Sequence, residues 1–580
     1  MLRDIATAPR SLSEPSKSVI ASLTGERSRK ASIPFVWAAG LVALVALPWL
    51  APGFLFGTDW PGPRRFDWPA ELASGVPIQA LLAIASAAVS AEIASKLLLL
   101  GVLFTAALAA YRALPVGDFV PRAAASVIYT VNPFVYGRLH YGQFFLLAGY
   151  ALLPWVTARV FRLVVQPSFR NGFVLSLSLV LVAVFTLHLL LLASLLLATS
   201  SAMFLGQRRS LAYVLGLIRG LATCTCSFVI LSAYWLIPYL AGRSVEGKLI
   251  AQVGSSDLGA YSSVPDPSLG LFPNLIGLYG FWAENVQRFP SLKLFVPYWY
   301  LALLALLALA AIGTASVFRA HASAQRELRW WVLSVLLAGI IGMLLEAGVA
   351  EPHMAPVVRW LDAVFPPYRG MRDAGKWAAL LALVYAQLVP LGVMAIRNWL
   401  RSHSRRIPAF AGAALSGLAI ALPLYYGNGV LFGMHGEILP SMYPEGWYAA
   451  DRLMAADPNH ERALFLPWHL YLRLSFVRNV NSVIATPAPG FFSVPVVVSA
   501  DPEVGGFTPP GDPEQQLITS LVSTGSSADW ARALAARNIK YVLVAKEIDS
   551  ERFAFFPHEP GFVRILGDDN IVLYRNELLP

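Results

Sequence analysis

The residues that could carry chemistry begin in the segment Pro52–Trp68, PGFLFGTDWPGPRRFDW, which follows the first long apolar run. Its Trp, Pro and Gly content is typical of a loop at the water edge of a membrane, where helices stop. Asp59 in such a loop could accept a proton from an attacking hydroxyl as a general base. Because Asp59 opens Asp-Trp-Pro-Gly-Pro, it could alternatively cap a turn. Asp59 is therefore a candidate catalytic base, and Asp67 is a second candidate for contact with a substrate.

A basic cluster lies in the segment Pro366–Trp377, next to a predicted membrane span. Its cations are Arg369, Arg372 and Lys376, on the side of the membrane where positive charge is not favoured. Such a group, with a helix N-terminus beside it, is suited to a phosphate. The alternative interpretation is an Arg372–Asp373 pair with a snorkelling lysine. Because the positive-inside rule does not favour basic residues on this side, a phosphate site is the preferred interpretation.

Two further segments carry hydrogen-bonding and aromatic side chains at span ends. Flat aromatic faces and polar donors are the groups that bind sugars, although the same residues also form interfacial aromatic belts. The candidate substrate-binding residues here are Arg138, His140, Tyr141, Gln143, Trp282 and Glu284.

The composition is that of a polytopic membrane protein. Of its 580 residues 57% are hydrophobic and only 13% are charged, with a mean hydropathy of +0.59. Soluble proteins carry about 25% charged residues. The formal net charge of +10 is explained by basic inner loops rather than by nucleic-acid binding, because cytoplasmic loops collect Lys and Arg.

Apolar runs predict about eleven membrane spans, since a helix needs about 20 mostly apolar residues to cross a bilayer. The segment 173–205 is interpreted as a hairpin of two spans, because a single span would turn the later basic loops outward. The predicted spans are Pro34–Leu50, Ile93–Ala113, Ala123–Tyr136, Gln143–Val160, Phe173–Leu187, Leu189–Leu205, Leu211–Leu236, Phe295–Phe318, Trp330–Glu346, Trp377–Ile396 and Pro408–Tyr426.

The charge pattern predicts the domain organisation. Residues 1–30 are expected to be a disordered cytoplasmic tail, and residues 31–426 a membrane domain in the plasma membrane. The outer loops are 51–92, 238–294 and 347–376, and residues 427–580 form a soluble extracytoplasmic α/β domain. In that domain we expect strands at Arg462–Leu466, Val494–Val498, Tyr541–Ala545 and Ile571–Tyr574, and helices at Gly446–Ala456 and Ser526–Asn538, the latter capped by Ser526 or Ser527.

Signatures of soluble enzymes are missing from the sequence. It has no P-loop, no GxGxxG fingerprint after a strand, no HExxH and no GxSxG. The nine His residues show no metal-like spacing, and Cys224 and Cys226 are two apart on one apolar run. The sequence therefore predicts neither a nucleotide-binding fold nor a metal site.

At these residues the chain resembles the GT-C type of polyprenyl-phosphate-sugar-dependent glycosyltransferases, and within them the arabinofuranosyltransferase-like and YfhO-like membrane proteins. The resemblance rests on Asp59, on Asn132-Pro133-Phe134 followed by Leu153-Pro154-Trp155, on Arg372 with Lys376, and on Tyr541-Val542-Leu543-Val544. It departs from the pattern in having a single Asp rather than a DxD or ExD pair, which leaves the participation of Mg²⁺ or Mn²⁺ open.

The resemblance implies a reaction. A polyprenyl-phosphate-linked sugar would enter from the bilayer, its phosphate held by Arg372, Lys376 and Arg369. An acceptor hydroxyl on a glycan or glycoconjugate would attack with inversion, and Asp59 would take the proton. The alternatives are a transporter or flippase of lipid-linked saccharides and a non-catalytic assembly subunit. A transporter predicts charges within spans and an internal repeat, and the sequence has few of the former and none of the latter.

Overall fold

The computed structural model describes residues 32–114, 118–254, 256–284, 288–319, 325–403, 410–459, 461–503, 512–527 and 529–579. The predicted cytoplasmic tail, 1–30, lies outside the described residues.

Helices form the membrane region, because in an apolar surrounding a helix satisfies its own backbone hydrogen bonds. Most of these helices coincide with the apolar runs of the sequence. In chain order they are α1 Ile33–Ala46, α2 Val76–Ala88, α3 Ala91–Ala113, α4 Phe119–Thr130, α5 Pro133–His140, α6 Phe144–Val165, α7 Phe169–Phe185, α8 His188–Gln207, α9 Leu211–Leu231, α10 Ala233–Leu240, α11 Val245–Gln252, α12 Asp257–Ala260, α13 Leu271–Ile276, α14 Trp299–Arg319, α15 Arg326–Ala347, α16 Ala355–Val364, α17 Ala378–Ser402 and α18 Phe410–Tyr426.

The chain is a polytopic α-helical membrane protein. Within the described residues, eight helices are long and apolar enough to cross a membrane, or nine if the bent pair Gly412–Tyr426 and Asn428–His435 is one span. Helices also occupy the other predicted spans, but they are shorter. The predicted hairpin is present as α7 and α8, and α7 has 17 residues.

The predicted span Ala123–Tyr136 is divided between α4 and α5. The break lies at Asn132, whose side chain accepts a hydrogen bond from Val135 N at 3.0 Å and caps α5. Pro133 then occupies the first position of α5, where no backbone donor is needed. Since α4 has only 12 residues, it is about 18 Å long and falls short of a full crossing. α5 carries Arg138 to the end of the bundle.

The C-terminal region forms an α/β domain, as predicted. Its mixed sheet has the order β4-β1-β5-β7-β6, in which β1 is parallel to β4 and β5, and β7 is antiparallel to β5 and β6. A separate hairpin joins β2 and β3. The strands are β1 Arg462–Leu466, β2 Tyr471–Arg473, β3 Val483–Ala485, β4 Val496–Val497, β5 Ile539–Ala545, β6 Phe562–Gly567 and β7 Ile571–Asn576, and the helices are α19 Glu445–Ala455, α20 Ala488–Phe491, α21 Pro513–Thr524 and α22 Trp530–Ala535.

Two local expectations for this domain are corrected. The predicted helix Ser526–Asn538 is shortened to α22, and its cap is Asp529, whose side chain accepts from Arg532 N at 3.1 Å. A carboxylate competes well for this position. Helix α21 and the hairpin β2–β3 were not predicted. The two strands of the hairpin have three residues each, which is too short to show a periodicity.

The C-terminal domain packs directly on the segment Pro52–Trp68, here called the first outer loop. Backbone hydrogen bonds join Phe54 and Ser441 in both directions at 2.8 and 2.9 Å, and Ala485 N donates to the Thr58 carbonyl at 2.8 Å. Phe54 also belongs to the hydrophobic cluster on one face of the large sheet. The loop that carries Asp59 is therefore held by the domain as well as by the helices.

Glycines allow the helices of the membrane region to approach closely. A Cβ on Gly392 of α17 would lie 1.9 Å from the Leu309 carbonyl oxygen of α14, and one on Gly313 of α14 would lie 2.4 Å from the Leu388 carbonyl oxygen. Such contacts between backbones are how helices associate where the hydrophobic effect is weak. The crossing of α14 and α17 therefore requires glycine on both helices.

We predict that Gly392→Ala lowers the free energy of unfolding by about 1–3 kcal/mol, because an added methyl group in a filled contact forces the helices apart. Thermal unfolding of the purified protein in detergent measures the effect. Gly101→Ala in α3 is the matched control, since nothing lies within 4 Å of its Cβ position. Equal melting temperatures for the two variants would contradict this account of the crossing.

Candidate functional site

A cavity of about 490 Å³ lies between the first outer loop and the ends of several helices. Its wall is mostly aromatic and apolar, and its polar groups are few. The lining residues are Asp59, Trp60, Pro61, Pro63, Phe66, Gly142, Gln143, Phe144, Phe145, Leu146, Phe185, Thr186, His188 and Lys376. An apolar pocket with few polar groups is the usual form of a small-molecule site.

Asp59 presents its carboxylate to this cavity and is held by two side chains. Gln143 Nε2 donates to Oδ2 at 3.0 Å, and Tyr471 Oη donates to Oδ1 at 3.0 Å. The Asp59 amide donates to the Tyr141 carbonyl at 2.7 Å. Asp59 therefore does not cap the turn that follows it, and its carboxylate is oriented by partners from two domains.

Burial raises the pKa of Asp59 above its usual value. The hydrogen bonds from Gln143 and Tyr471 oppose this effect, repulsion from Asp373 adds to it, and attraction to Lys376 opposes it. The side chain is exposed to the space of the cavity, yet protein atoms surround it and limit its hydration. A carboxylate with a raised pKa is a stronger proton acceptor than one in bulk water.

The buried ion pair of Arg138 and Asp373 contacts Gln143. Arg138 Nη1 donates to Asp373 Oδ2 and also to Gln143 Oε1, the latter at 2.8 Å. The guanidinium lies 4.2 Å from the centroid of the Phe281 ring. Because Gln143 Oε1 accepts a hydrogen bond from Arg138, the NH₂ group of the same amide faces Asp59. The ion pair therefore fixes the orientation of one of the two groups that hold the carboxylate.

Lys376 and His188 form the other polar part of the cavity wall. Lys376 is buried, its Nζ donates to the Gly370 carbonyl at 2.9 Å, and no carboxylate of the described residues lies within ion-pair distance of it. His188 shares a hydrogen bond of 2.9 Å with Thr186 through Nδ1. A buried cation without a carboxylate partner is costly unless an anion visits it. Lys376 is therefore the group in this cavity best suited to a phosphate.

The structure brings together three of the residues singled out in the sequence, namely Asp59, Gln143 and Lys376, in the cavity wall. Arg138 and Tyr141 lie directly behind them, as described above. The other two cations of the basic cluster are not in the cavity wall. Arg372 donates to Asp257 Oδ2 at 3.3 Å, and Arg369 donates to the Asp362 carbonyl at 3.4 Å.

The remaining sequence candidates lie outside the cavity wall. His140 Nε2 is 2.7 Å from Glu437 Oε2, and both side chains are buried. Trp282 packs edge-on against Tyr141. Asp67 pairs with Arg65 at 3.0 Å on the surface. Glu284 lines a second, separate space, described below.

Sequence reasoning did not identify Tyr471 or His188 as parts of this site. Tyr471 comes from the hairpin β2–β3, 412 residues from Asp59, and no local pattern could connect the two. His188 lies in the polar break of the α7–α8 hairpin, and a polar group within an apolar run was a signal that could have identified it.

The donor atoms do not form an obvious metal site. Among the described residues, no group of three or more His, Cys, Asp or Glu side chains could hold a metal ion. In the cavity wall Asp59 is the sole carboxylate of the described lining. The participation of Mg²⁺ or Mn²⁺, which the single Asp leaves open in the sequence, stays open.

Comparison with known proteins bears on the fold. No protein-family model matches the sequence, and no curated protein matches it. A solved structure of the arabinofuranosyltransferase AftD from mycobacteria is similar over 95% of this chain, with a TM-score of 0.56 and 16% identity. A mutant form of the same enzyme is similar over 94%, with a TM-score of 0.58 and 15% identity. At this identity the similarity shows the fold alone. The chain spans about two fifths of the AftD structures, 40% and 42% of their length.

We predict that Asp373→Ala lowers the free energy of unfolding by about 3–5 kcal/mol, because it leaves the buried Arg138 guanidinium without its carboxylate. Glu445→Ala is the control, since it breaks an exposed pair with Arg452 of 2.9 Å, which is worth at most about 1 kcal/mol. Thermal unfolding of both variants in detergent makes the comparison. A loss for Asp373→Ala no greater than that for Glu445→Ala would show that the pair does not support the site.

Proposed function

We propose that this chain, which has a GT-C-like glycosyltransferase fold, is a membrane glycosyltransferase that uses a polyprenyl-phosphate-linked sugar. The proposed acceptor is an extracytoplasmic glycan or glycoconjugate, and the proposed general base is Asp59. The activity of the complete AftD enzyme is not transferred by the similarity, since this chain spans two fifths of it.

One observation carries the proposal: the same apolar cavity is lined by a possible base and by a buried cation that has no carboxylate within ion-pair distance among the described residues. Asp59 and Lys376 are both in its wall, and aromatic and aliphatic side chains supply most of the rest. A lipid phosphate ester needs this combination, with a cation for the phosphate and an apolar surface for the first isoprene units. A soluble sugar nucleotide would need no apolar surface of this kind.

The proposed reaction is a single displacement. The acceptor oxygen forms a bond to the anomeric carbon, the bond between that carbon and the phosphate oxygen breaks, and the electron pair leaves with polyprenyl phosphate. The acceptor proton passes to Asp59, and Lys376 stabilises the negative charge that develops on the departing phosphate. Since the described wall offers no second carboxylate to form a covalent intermediate, inversion at the anomeric carbon is expected.

The proposed orientation places the cavity and the C-terminal domain outside the plasma membrane and the N-terminus in the cytoplasm. The basic short loops at the opposite ends of the helices support it. Polyprenyl-phosphate sugars would then reach the cavity laterally through the bilayer. No nucleic acid takes part in this proposal.

We predict that Asp59→Asn reduces sugar transfer by roughly 10²–10⁴-fold, the usual contribution of a general base, while the melting temperature stays near that of the wild type. The assay follows transfer of radiolabelled sugar from polyprenyl phosphate to envelope glycan in membranes. Glu71→Gln is the matched control in the same outer segment, because Glu71 is exposed and pairs with Lys248 at 3.2 Å. Normal transfer by Asp59→Asn protein would overturn the assigned role and favour a transporter or an assembly subunit.

We predict that Tyr471→Phe moves the acid limb of the pH–rate profile to higher pH. The pKa of Asp59 is raised by burial and lowered by the bond from Tyr471, so loss of that bond raises it further. A general base must be ionised, and the rate therefore falls at a higher pH than in the wild type. Tyr541→Phe is the control, since its hydroxyl donates to a different carboxylate, Asp457, at 2.7 Å. An unchanged acid limb in the Tyr471→Phe variant would show that the ionisation of Asp59 does not control the rate.

A further inference from the structure

We propose that a second space, a polar groove beside the hairpin β2–β3, binds the acceptor and selects an anionic saccharide. The groove has a volume of about 630 Å³ and lies between an outer loop of the membrane region and the C-terminal domain. Glu284, Arg288, Arg473 and Asn481 are among its lining residues. This inference rests on the proposed transferase function and names the class of acceptor.

Strand β2 contacts both Asp59 and the groove. Tyr471, which donates to Asp59, and Arg473, which lines the groove, are two residues apart on β2. Side chains two apart on a strand share one face and are about 7 Å apart. A second connection runs through Asn481, whose Nδ2 donates to the hydroxyl of Thr58, the residue before Asp59, at 2.8 Å. A saccharide in the groove could therefore extend a hydroxyl to the Asp59 carboxylate.

The groove and the cavity are separate spaces. They have no lining residue in common, and their walls differ in character, since the cavity wall is mostly apolar and the groove wall is largely polar. A transferase that binds one lipid-soluble and one water-soluble substrate needs two such spaces around one reacting centre. The polar space is the one suited to a saccharide.

The charge of the groove indicates an anion on that saccharide. Arg288 and Arg473 both line it, and in the described part of the chain neither has a carboxylate within ion-pair distance. Arginine binds carboxylates and phosphates through paired donors. Burial raises the pKa of Glu284 to about 7 against the lowering effect of Lys293, so near neutral pH this carboxyl is only partly ionised. The net charge of the groove is therefore positive.

Direct binding tests the proposal with the full-length protein in lipid nanodiscs at low salt. Three probes of similar length are titrated calorimetrically: tetragalacturonate, an oligomer of glycerol phosphate, and the neutral maltotetraose. At least one anionic probe should bind and maltotetraose should not. Which anionic probe binds distinguishes a carboxylate from a phosphodiester on the acceptor.

Single substitutions locate the binding. Arg473→Gln and Arg288→Gln should each weaken the bound anionic probe roughly tenfold, equivalent to about 1.4 kcal/mol. Arg564→Gln is the matched control, because Arg564 is an exposed arginine of the same domain on strand β6, and its affinity should equal that of the wild type. Arg473 is exposed, so its replacement should not disturb folding.

The proposal is overturned if neither anionic probe binds, if maltotetraose binds equally well, or if both groove variants bind like Arg564→Gln. These outcomes are independent of turnover. Asp59→Asn protein should bind the anionic probe normally. Failure of the acceptor-site proposal and failure of the assignment of Asp59 as the base therefore give different results. Normal transfer by Asp59→Asn would reject the transferase mechanism, whereas unaltered binding by the groove variants would reject only the acceptor site.

Discussion

The fixation of the first outer loop from two sides is the constraint on which the rest of the site depends. On the membrane side its backbone touches the α5–α6 turn, where a Cβ on Gly57 would lie 2.5 Å from the Gly142 Cα. On the other side Asn479 of the C-terminal domain donates to the Phe56 carbonyl at 2.8 Å. A glycine-rich loop at a membrane surface would otherwise be free to move. Held between the two, it presents Asp59 in one orientation.

The polar groups around Asp59 are arranged as an apolar surrounding requires. Buried charges must be paired, and Arg138 with Asp373 satisfies that requirement while directing Gln143. Lys376 is the exception, because the Gly370 carbonyl is the one acceptor that the described residues offer its ammonium. A fold that leaves one buried cation incompletely paired stabilises an anion brought to it. The Arg138–Asp373 ion pair thus makes the site rigid, whereas Lys376 is available to bind an anion.

The sequence predicted what depends on local composition and missed what depends on contacts between distant segments. Hydropathy located the helices. The residue types, together with the predicted side of the membrane, were enough to propose Asp59, Gln143 and Lys376 as site residues, and the structure brings these three to one cavity. The same reasoning grouped Arg372 with Lys376. In the structure Arg372 donates to Asp257 and is not in the cavity wall. Spacing along the chain does not reveal the contacts of a side chain. Likewise, a three-residue strand has no pattern that predicts the hydrogen bond between Tyr471 and Asp59.

The hairpin β2–β3 gives the C-terminal domain a role beyond covering the membrane helices. One face of β2 supplies Tyr471 to Asp59 and Arg473 to the neighbouring groove, and the facing strand is joined to the first outer loop through Ala485 and Thr58. The spacing of 3.2–3.4 Å per residue along a strand is rigid. The backbone of the hairpin therefore sets the distance between Tyr471, which holds the carboxylate, and Arg473, which lines the groove. A separately folded domain can in this way fix where a water-soluble substrate meets a cavity that opens among membrane helices.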